Sequence, residues 1–482
     1  MHTDESVNAY IIGQLLAGQP FHYDPQDRHG PALAAVTLPL AKLEGAKDFA
    51  GLTESELRLS PVLAGTATVL LFGVGVEMFG FVTCFIAALL FVFAPLPVYY
   101  HRYFIHESLF VAVTFGLILS GARAWQQKSV GHSALAGFCA ALMLACKETA
   151  PLHFLALATA ATACWLMRPP KTSPRFASFP FPWLKTISVA GLIFLITTVL
   201  LYTWFGRNPG VFADLFHAIP GFATRAGGEG HEKPFWYYGK LLGDGWSGAV
   251  ILGLAVFGII CVFFTRRGKH APGLDVSVTQ DSPRPANWRF FLAIYGLVIF
   301  AIYSVIPYKT PWLALNFWLP MALWVGIAVE WLWFTKAKFP HRAVIVGCLI
   351  GLGLLVAHDT RQRVFVAPAD ENNPYAYAHT VEDLLGLPAR IEELSKQKNW
   401  VQPRIAVVAA DTWPLPWYLR KYSQVGYWQP GQATGAADLY ITSPEASEKM
   451  SDQLTNYNAE FFGIRPEVLI ILWTPIPVKQ PL

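Results

Sequence analysis

Apolar residues in this chain gather in long, nearly unbroken blocks, not in the short alternating or one-sided patterns of a soluble domain. A helix needs about 20 mostly apolar residues to cross a bilayer. Ten blocks approach that length, near residues 60–77, 80–98, 108–122, 133–146, 150–167, 186–205, 248–265, 290–306, 312–334 and 343–358. The pattern predicts a polytopic α-helical membrane protein of about ten spans. Residues 1–59 and 359–482 lack such blocks and carry most of the acids. Three regions follow: an outer first loop (1–59), a transmembrane domain (60–358) and a C-terminal soluble domain (359–482).

The two ends have patterns of their own. Ala9, Ile12, Leu15 and Leu16 follow helical spacing, and Gly18-Gln19-Pro20 ends that helix. A second apolar-rich helix runs from Ala32 to Leu43. Thr53-Glu54-Ser55-Glu56 caps a third that leads into the first span. Such helices are expected to lie on the outer membrane surface. In the tail, Thr380 with Asp383 resembles a capping box before a helix reaching about residue 397. Ile405–Ala410, Asp438–Ser443 and Glu467–Trp473 have strand character, which predicts a small α/β domain.

Composition narrows the function. Hydrophobic residues make up 54% of the 482 and charged residues 14%, with a mean hydropathy of +0.38. Soluble globular chains carry roughly 25% charged residues, so a soluble enzyme, a disordered chain and a nucleic-acid binder are excluded. The six cysteines all lie inside apolar runs, which argues against a disulfide framework or a zinc site.

Charge sets the expected orientation. One set of interspan loops holds Arg123 and Lys128; Arg168, Lys171, Arg175 and Lys185; Arg266, Arg267, Lys269, Arg284 and Arg289; and Lys336, Lys338 and Arg342. The opposite set holds half as many, and the basic side is cytoplasmic. Both termini then face the periplasm or exterior. Residues 1–59 would have to cross unaided, so a span missing ahead of residue 1 is expected.

Polar clusters collect on that outer side. They are Asp4-Glu5, Arg28-His29-Gly30-Pro31, Arg102 with His106 and Glu107, Lys147-Glu148-Thr149 with His153, and Tyr308-Lys309-Thr310-Pro311-Trp312. Polar groups beside spans are costly and mark function. Carboxylates suit a general base or a metal, and Lys and Arg suit phosphate. The outer loop 206–247 holds Gly227-Gly228-Glu229-Gly230-His231 and the aromatic run Phe235–Tyr238. It reads either as a flexible loop with an interfacial aromatic belt or as a lid. The chemistry that fits is sugar transfer from a polyprenyl-phosphate donor: a base takes the acceptor proton, and cations stabilise the leaving phosphate.

These residues resemble the GT-C membrane glycosyltransferases, which include the protein O-mannosyltransferases and the lipid A aminoarabinose transferases. The chain is most similar to the prokaryotic flippase-activity-associated proteins of archaeal-type N-glycosylation. The matching pieces are His2-Thr3-Asp4-Glu5-Ser6, Tyr23-Asp24-Pro25, His29-Gly30-Pro31, Arg102 to Glu107, Lys147-Glu148-Thr149 and Tyr308 to Trp312. Asn373-Pro374-Tyr375, Trp413 to Arg420 and Arg465-Pro466 match in the tail. The resemblance implies a base at Asp4, with Glu5 beside it and a second acid at Glu107. Arg102, Lys147 and Lys309 would hold the donor phosphate, and His29, Tyr308, Trp312 and His231 would contact substrate. The aminoarabinose transferases place a metal-ligand carboxylate and a lysine before a proline in the first loop, and here that place reads Arg28-His29-Gly30-Pro31. A divalent cation therefore stays open, with Glu5, His29, His106 and Glu148 as its candidate ligands. The family also carries a span ahead of the Asp-Glu pair.

Two functions follow. One is an inverting glycosyltransferase of the inner membrane, with its site and C-terminal domain facing outward. Its partners would be a polyprenyl-phosphate-linked sugar, the bilayer and an acceptor glycan, lipid or protein. The other is a non-catalytic factor that assists translocation of lipid-linked oligosaccharide and binds the same lipid phosphate without turnover.

Overall fold

The structure is a computed structural model. It describes all residues except 25–28, 168–180, 266–287, 335–338, 477–482 and ten positions between 212 and 229. Arg28, Pro25, Arg225, Glu229 and most of the basic inner-loop residues, Arg168, Lys171, Arg175, Arg266, Arg267, Lys269, Arg284, Lys336 and Lys338, lie outside the described residues. Contacts divide the chain into two compact units. One joins residues 1–19 and 37–57 to 369–482; the other joins 20–36 to 58–368.

The helical unit carries all ten apolar blocks as helices. After α1 (Thr3–Leu16) and α2 (Ala32–Leu43) come α3 (Glu54–Phe79), α4 (Phe81–Phe93), α5 (Pro95–Tyr100), α6 (Glu107–Gln127), α7 (Val130–Cys146), α8 (Ala150–Leu166) and α9 (Phe181–Tyr202). Then follow α10 (Tyr237–Leu242), α11 (Gly245–Thr265), α12 (Trp288–Val305), α13 (Leu315–Phe334) and α14 (Phe339–Thr360). Among the described residues, seven of the helices are long and apolar enough to cross a membrane. Three further blocks, at 81–93, 130–146 and 150–166, form shorter apolar helices. The block at 80–98 is broken at Ala94, because Pro95 has no N–H to continue the helical ladder. Residues 311–329 are buried and form the centre of the unit, with α4, α11 and α12 packed around α13. A Cβ on Gly258 of α11 would stand 1.9 Å from the carbonyl oxygen of Trp324, so only glycine lets these two helices approach so closely.

The second unit is built on a five-stranded sheet of order β2-β1-β3-β5-β4, with β1 Ile405–Val408, β2 Val425–Trp428, β3 Leu439–Thr442, β4 Tyr457–Arg465 and β5 Val468–Pro475. β1 pairs in parallel with β2 and β3, while β5 is antiparallel to β3 and β4. One face packs Ile405, Val407, Leu439 and Ile441 on the helix Gly386–Gln397 (α15) and on Leu415 and Leu419 at the short helix Leu415–Tyr418 (α16). β1, β3 and β5 were legible as apolar runs. β2 and β4 were not, because both alternate weakly and stay largely accessible at the sheet's two edges.

Three local expectations need revision or hold. Thr380 and Asp383 make no capping box. Thr380 Oγ1 donates to the Met1 carbonyl at 2.7 Å, Asp383 Oδ2 accepts from Gly463 N–H at 2.6 Å, and the helix starts at Gly386. The Thr53–Glu56 box is present, with Glu56 Oε2 accepting from Thr53 N–H at 2.6 Å, and it opens α3 itself rather than a separate helix. The apolar face of α1 does not lie on a membrane surface: Ala9, Ile12 and Leu15 are buried in protein, and α1 packs on α16.

Candidate functional site

The loops on one end of the helical unit bring three sequence segments together. Glu107 opens α6, and Lys147 sits at the break between α7 and α8 in an extended conformation (φ −154°, ψ 142°). Pro151 in the first turn of α8 suits a helix start there. The break puts Lys147 and Glu148 outside the helical ladder and turns both toward neighbouring loops. Lys147 Nζ forms an ion pair with Glu107, and both side chains are buried. Glu148 Oε2 meets His29 Nδ1 at 2.7 Å, and the His29 ring lies 4.8 Å from the His106 ring at a steep angle. Gly30 makes this approach feasible, because a Cβ there would stand 2.2 Å from the Ala145 carbonyl oxygen.

Charge is distributed unevenly in this cluster. Burial alone would lower the Lys147 pKa, but the Glu107 carboxylate outweighs it and holds the ammonium above its ordinary value. Burial would raise the Glu148 pKa, yet His29 and Lys147 bring it below the usual carboxylate range. His106 is driven well down by burial and by the neighbouring His29 and Lys147, which keeps its imidazole neutral. The second oxygen of Glu148, Oε1, is buried with no hydrogen-bond partner among the described residues. A buried acceptor left unmade is costly, and it can receive a substrate hydroxyl or a cation.

Lys309 occupies a different setting on the same end. Residues 231–233 run antiparallel to 307–309: Lys233 N–H donates to Pro307 O at 3.1 Å, Lys309 N–H to His231 O at 3.1 Å, and the His231 ring contacts the Tyr308 ring at 4.8 Å. Beneath this cover Lys309 is 1% exposed. Its ammonium donates to the carbonyl oxygens of Ile306 at 2.5 Å and Lys233 at 3.0 Å. Among the described residues no carboxylate pairs with it, and burial lowers its pKa. The hydroxyl of Thr310 is buried beside it in sequence and also lacks a partner. A buried cation stabilised only by carbonyl dipoles is an incomplete pair, and an anion would complete it.

Other expected residues fall elsewhere. Trp312 is buried and meets Tyr100 edge-on at 6.5 Å. Arg102 is exposed and makes its contacts with Val364 O at 3.4 Å and the Phe365 ring at 4.6 Å. Asp4 and Glu5 belong to the other compact unit. Glu5 is fully buried and caps α1: its Oε2 accepts from His2 N–H at 2.9 Å while His2 Nδ1 accepts from Asp4 N–H at 3.1 Å. Asp4 is only half-buried.

Of the four candidate metal ligands, His29, His106 and Glu148 gather in the helical unit, and Glu5 belongs to the other unit. No group of three or more His, Cys, Asp or Glu side chains placed to hold a metal ion occurs among the described residues. His29 and Glu148 supply two adjacent donors that already bond each other, which falls short of a divalent-cation set.

The sequence pattern did not disclose the polar link inside the helices. His153 of α8 bonds Tyr295 OH through Nδ1 at 2.8 Å and Tyr303 OH through Nε2 at 3.2 Å, and all three are buried. A neutral imidazole donates from one nitrogen and accepts at the other, so the two phenols must play opposite roles. Tyr303 also contributes to the field that raises the Lys147 pKa. The available signal was tyrosine within an apolar span, which is too common to be singled out.

No protein-family model matches the chain, and no curated protein sequence matches it. Solved structures do. The chain is similar to ArnT from Cupriavidus metallidurans bound to undecaprenyl phosphate, at 14% identity over 97% of this chain and 93% of that one, with a TM-score of 0.61. It is also similar to the Archaeoglobus fulgidus oligosaccharyltransferase in complex with Zn and sulfate, at 12% identity over 99% of this chain and 70% of that one, with a TM-score of 0.52. At these identities the likeness establishes the fold. It is the GT-C fold that the sequence resemblance implies: a multi-pass helical membrane unit with a small C-terminal sheet domain.

Proposed function

We propose that the chain is an inverting membrane glycosyltransferase that moves a sugar from a polyprenyl-phosphate donor to an acceptor on the outer face of the inner membrane. The observation that carries this reading is Lys309, a buried ammonium without a carboxylate partner, next to an unpartnered Thr310 hydroxyl. In a fold shared with a protein that binds undecaprenyl phosphate, a lipid phosphate is the anion that suits this place. Lys309 donates to the phosphate and stabilises the charge that develops as the bond from the sugar's anomeric carbon to the phosphate oxygen breaks. The acceptor oxygen bonds that carbon from the opposite side, and its proton passes to a carboxylate. Asp4 takes that proton on the sequence resemblance. Arg102 and Lys147 are assigned to the same phosphate, Lys147 through exchange of its Glu107 partner. The unpartnered oxygen of Glu148 accepts a hydroxyl of the sugar or acceptor. His29 Nδ1, bonded to the other oxygen, keeps that carboxylate oriented.

The test uses the purified chain in nanodiscs with a radiolabelled polyprenyl-phosphate hexose, followed for sugar release with and without a divalent cation. Release that disappears in Lys309→Met and in Asp4→Asn supports the transferase. Release that survives Asp4→Asn removes Asp4 as base. Tight binding of the lipid phosphate with no release from any donor would instead support the translocation factor.

A further inference from the structure

The sheet of the second unit has a feature that the proposed transfer reaction does not use. β1 lies between β2 and β3 and runs parallel to both. The chain leaves β1 toward β2 on one side and later returns to β3 on the other. In sheets of this kind ligands bind outside the carboxyl ends of the strands, where the connections diverge. The segment that leaves β1 is Ala409–Pro414, and it carries Asp411 and Trp413.

Asp411 is held from two sides. Its Oδ1 accepts from Trp413 N–H at 3.1 Å, and its Oδ2 forms an ion pair with Arg465 at the end of β4. Asp411 is 49% exposed in its side chain and Arg465 19%. The carboxylate is the only acceptor that the Arg465 guanidinium meets among the described residues. A guanidinium has five N–H donors in a fixed fork, so several remain without a protein partner. Beside this pair the Tyr10 ring meets the Trp413 ring at 6.1 Å and 71°, and the Phe49 ring at 5.7 Å and 90°. Two rings near a right angle form a corner. Tyr10 is 38% exposed, and Tyr427 on the edge strand β2 is 41% exposed. The Tyr427 hydroxyl is close enough to Tyr10 to feel it: burial first, and the Tyr10 phenol second, push its pKa up.

We infer that this corner is a binding site for a neutral oligosaccharide, with Tyr10, Trp413 and Tyr427 offering ring faces to the sugar and Asp411 and Arg465 bonding its hydroxyls. The charges at the corner cancel, so it offers no net attraction to a phosphate or an acidic peptide. Exposed aromatic rings offer apolar area at low entropic cost, with a polar tip that bonds hydroxyls. A carboxylate and a guanidinium fixed at adjacent positions can accept from and donate to vicinal hydroxyls together. The site is independent of whether the helical unit transfers sugar.

The experiment is saturation-transfer NMR on the full chain in nanodiscs with free mannohexaose, maltohexaose and cellohexaose, and with an uncharged hexapeptide in a parallel arm. At least one hexasaccharide should saturate the site. Its affinity should fall at least tenfold in Tyr10→Ala and in Asp411→Asn, and should stay within twofold in Val401→Ser, an exposed position before β1. Circular dichroism and unchanged thermal unfolding of the variants separate lost binding from lost folding, and Tyr10→Phe should retain binding because the ring remains. Absence of saturation by all three sugars, equal binding in Tyr10→Ala, or preferential binding of the peptide would each overturn the inference.

Discussion

Two ion pairs of the helical unit, one buried and one half-buried, are built on different plans. Arg289 and Glu330 lie where α3 ends and α4 begins; Glu107 and Lys147 lie where α6 begins and α7 ends. At the first, both carboxylate oxygens are matched. Arg289 donates to Glu330 Oε1 at 2.6 Å and to the Phe79 carbonyl through Nε at 3.1 Å and Nη2 at 2.5 Å, and Thr83 Oγ1 donates to Glu330 Oε2 at 2.8 Å. At the second, Glu148 beside Lys147 keeps an unused acceptor, Oε1, and elsewhere in the unit the Thr310 hydroxyl lacks a hydrogen-bond partner and the Lys309 ammonium a carboxylate among the described residues. A saturated pair specifies how helices pack. An unsaturated cluster is an investment that only a ligand completes. Charge alone would have ranked the two alike; burial and the satisfaction of the polar atoms separate them.

Four substitutions would break or sharpen that contrast. The largest effect is expected at the saturated pair. Arg289→Met leaves a half-buried carboxylate with one hydroxyl donor, and stability should fall by about 3 kcal/mol, read as denaturation of the detergent-solubilised protein, with binding of undecaprenyl phosphate retained in the folded fraction. A small change there would mean that the clasp is ornamental to packing.

Next is Lys309→Met. Stability should hold or rise slightly, because a desolvated charge is removed. Affinity for undecaprenyl phosphate, measured by native mass spectrometry, should drop by about 1.5–3 kcal/mol, the range for a hydrogen bond to a charged group. Loss of stability with unchanged lipid affinity would place Lys309 with the structural pairs.

Glu148→Gln has a smaller effect and a pH signature. The folded carboxyl pKa lies below its ordinary value, so its contribution is present above the unfolded value of about 4.5 and is lost as pH falls through the folded one. His29 is 37% exposed in its side chain, and solvent screening keeps the contribution near 1 kcal/mol or less. The wild-type advantage over Glu148→Gln in thermal unfolding should therefore shrink as pH drops below about 4.5. An advantage that grew in acid would contradict the sign of the shift.

The smallest change is expected for Arg102→Ala, which removes an exposed cation resting on the Phe365 ring. About 0.5 kcal/mol of stability is at stake, read as a small shift in thermal unfolding.

Most of the helical architecture was legible in the sequence because bilayer length and hydropathy are local properties, summed over neighbouring residues. The blocks at 60–77 and 312–334 needed no partner to be recognised, whereas the break at Pro95 inside the block 80–98 was not anticipated. Strands β1 and β3 were legible for the same reason, whereas the edge strands β2 and β4 carry too little apolar contrast. The polar clusters were legible as chemistry, because each stands out from the apolar runs around it. Which partner each group takes was decided only by the tertiary structure. Glu107 takes Lys147, 40 positions away, and Glu148 takes His29, 119 positions away. Glu5, adjacent to Asp4 and carrying the same carboxylate, became a helix cap, and Lys309 has no carboxylate partner among the described residues. Ion pairing and desolvation depend on distance in space and on what excludes water, and neither is written in the spacing of residues along the chain.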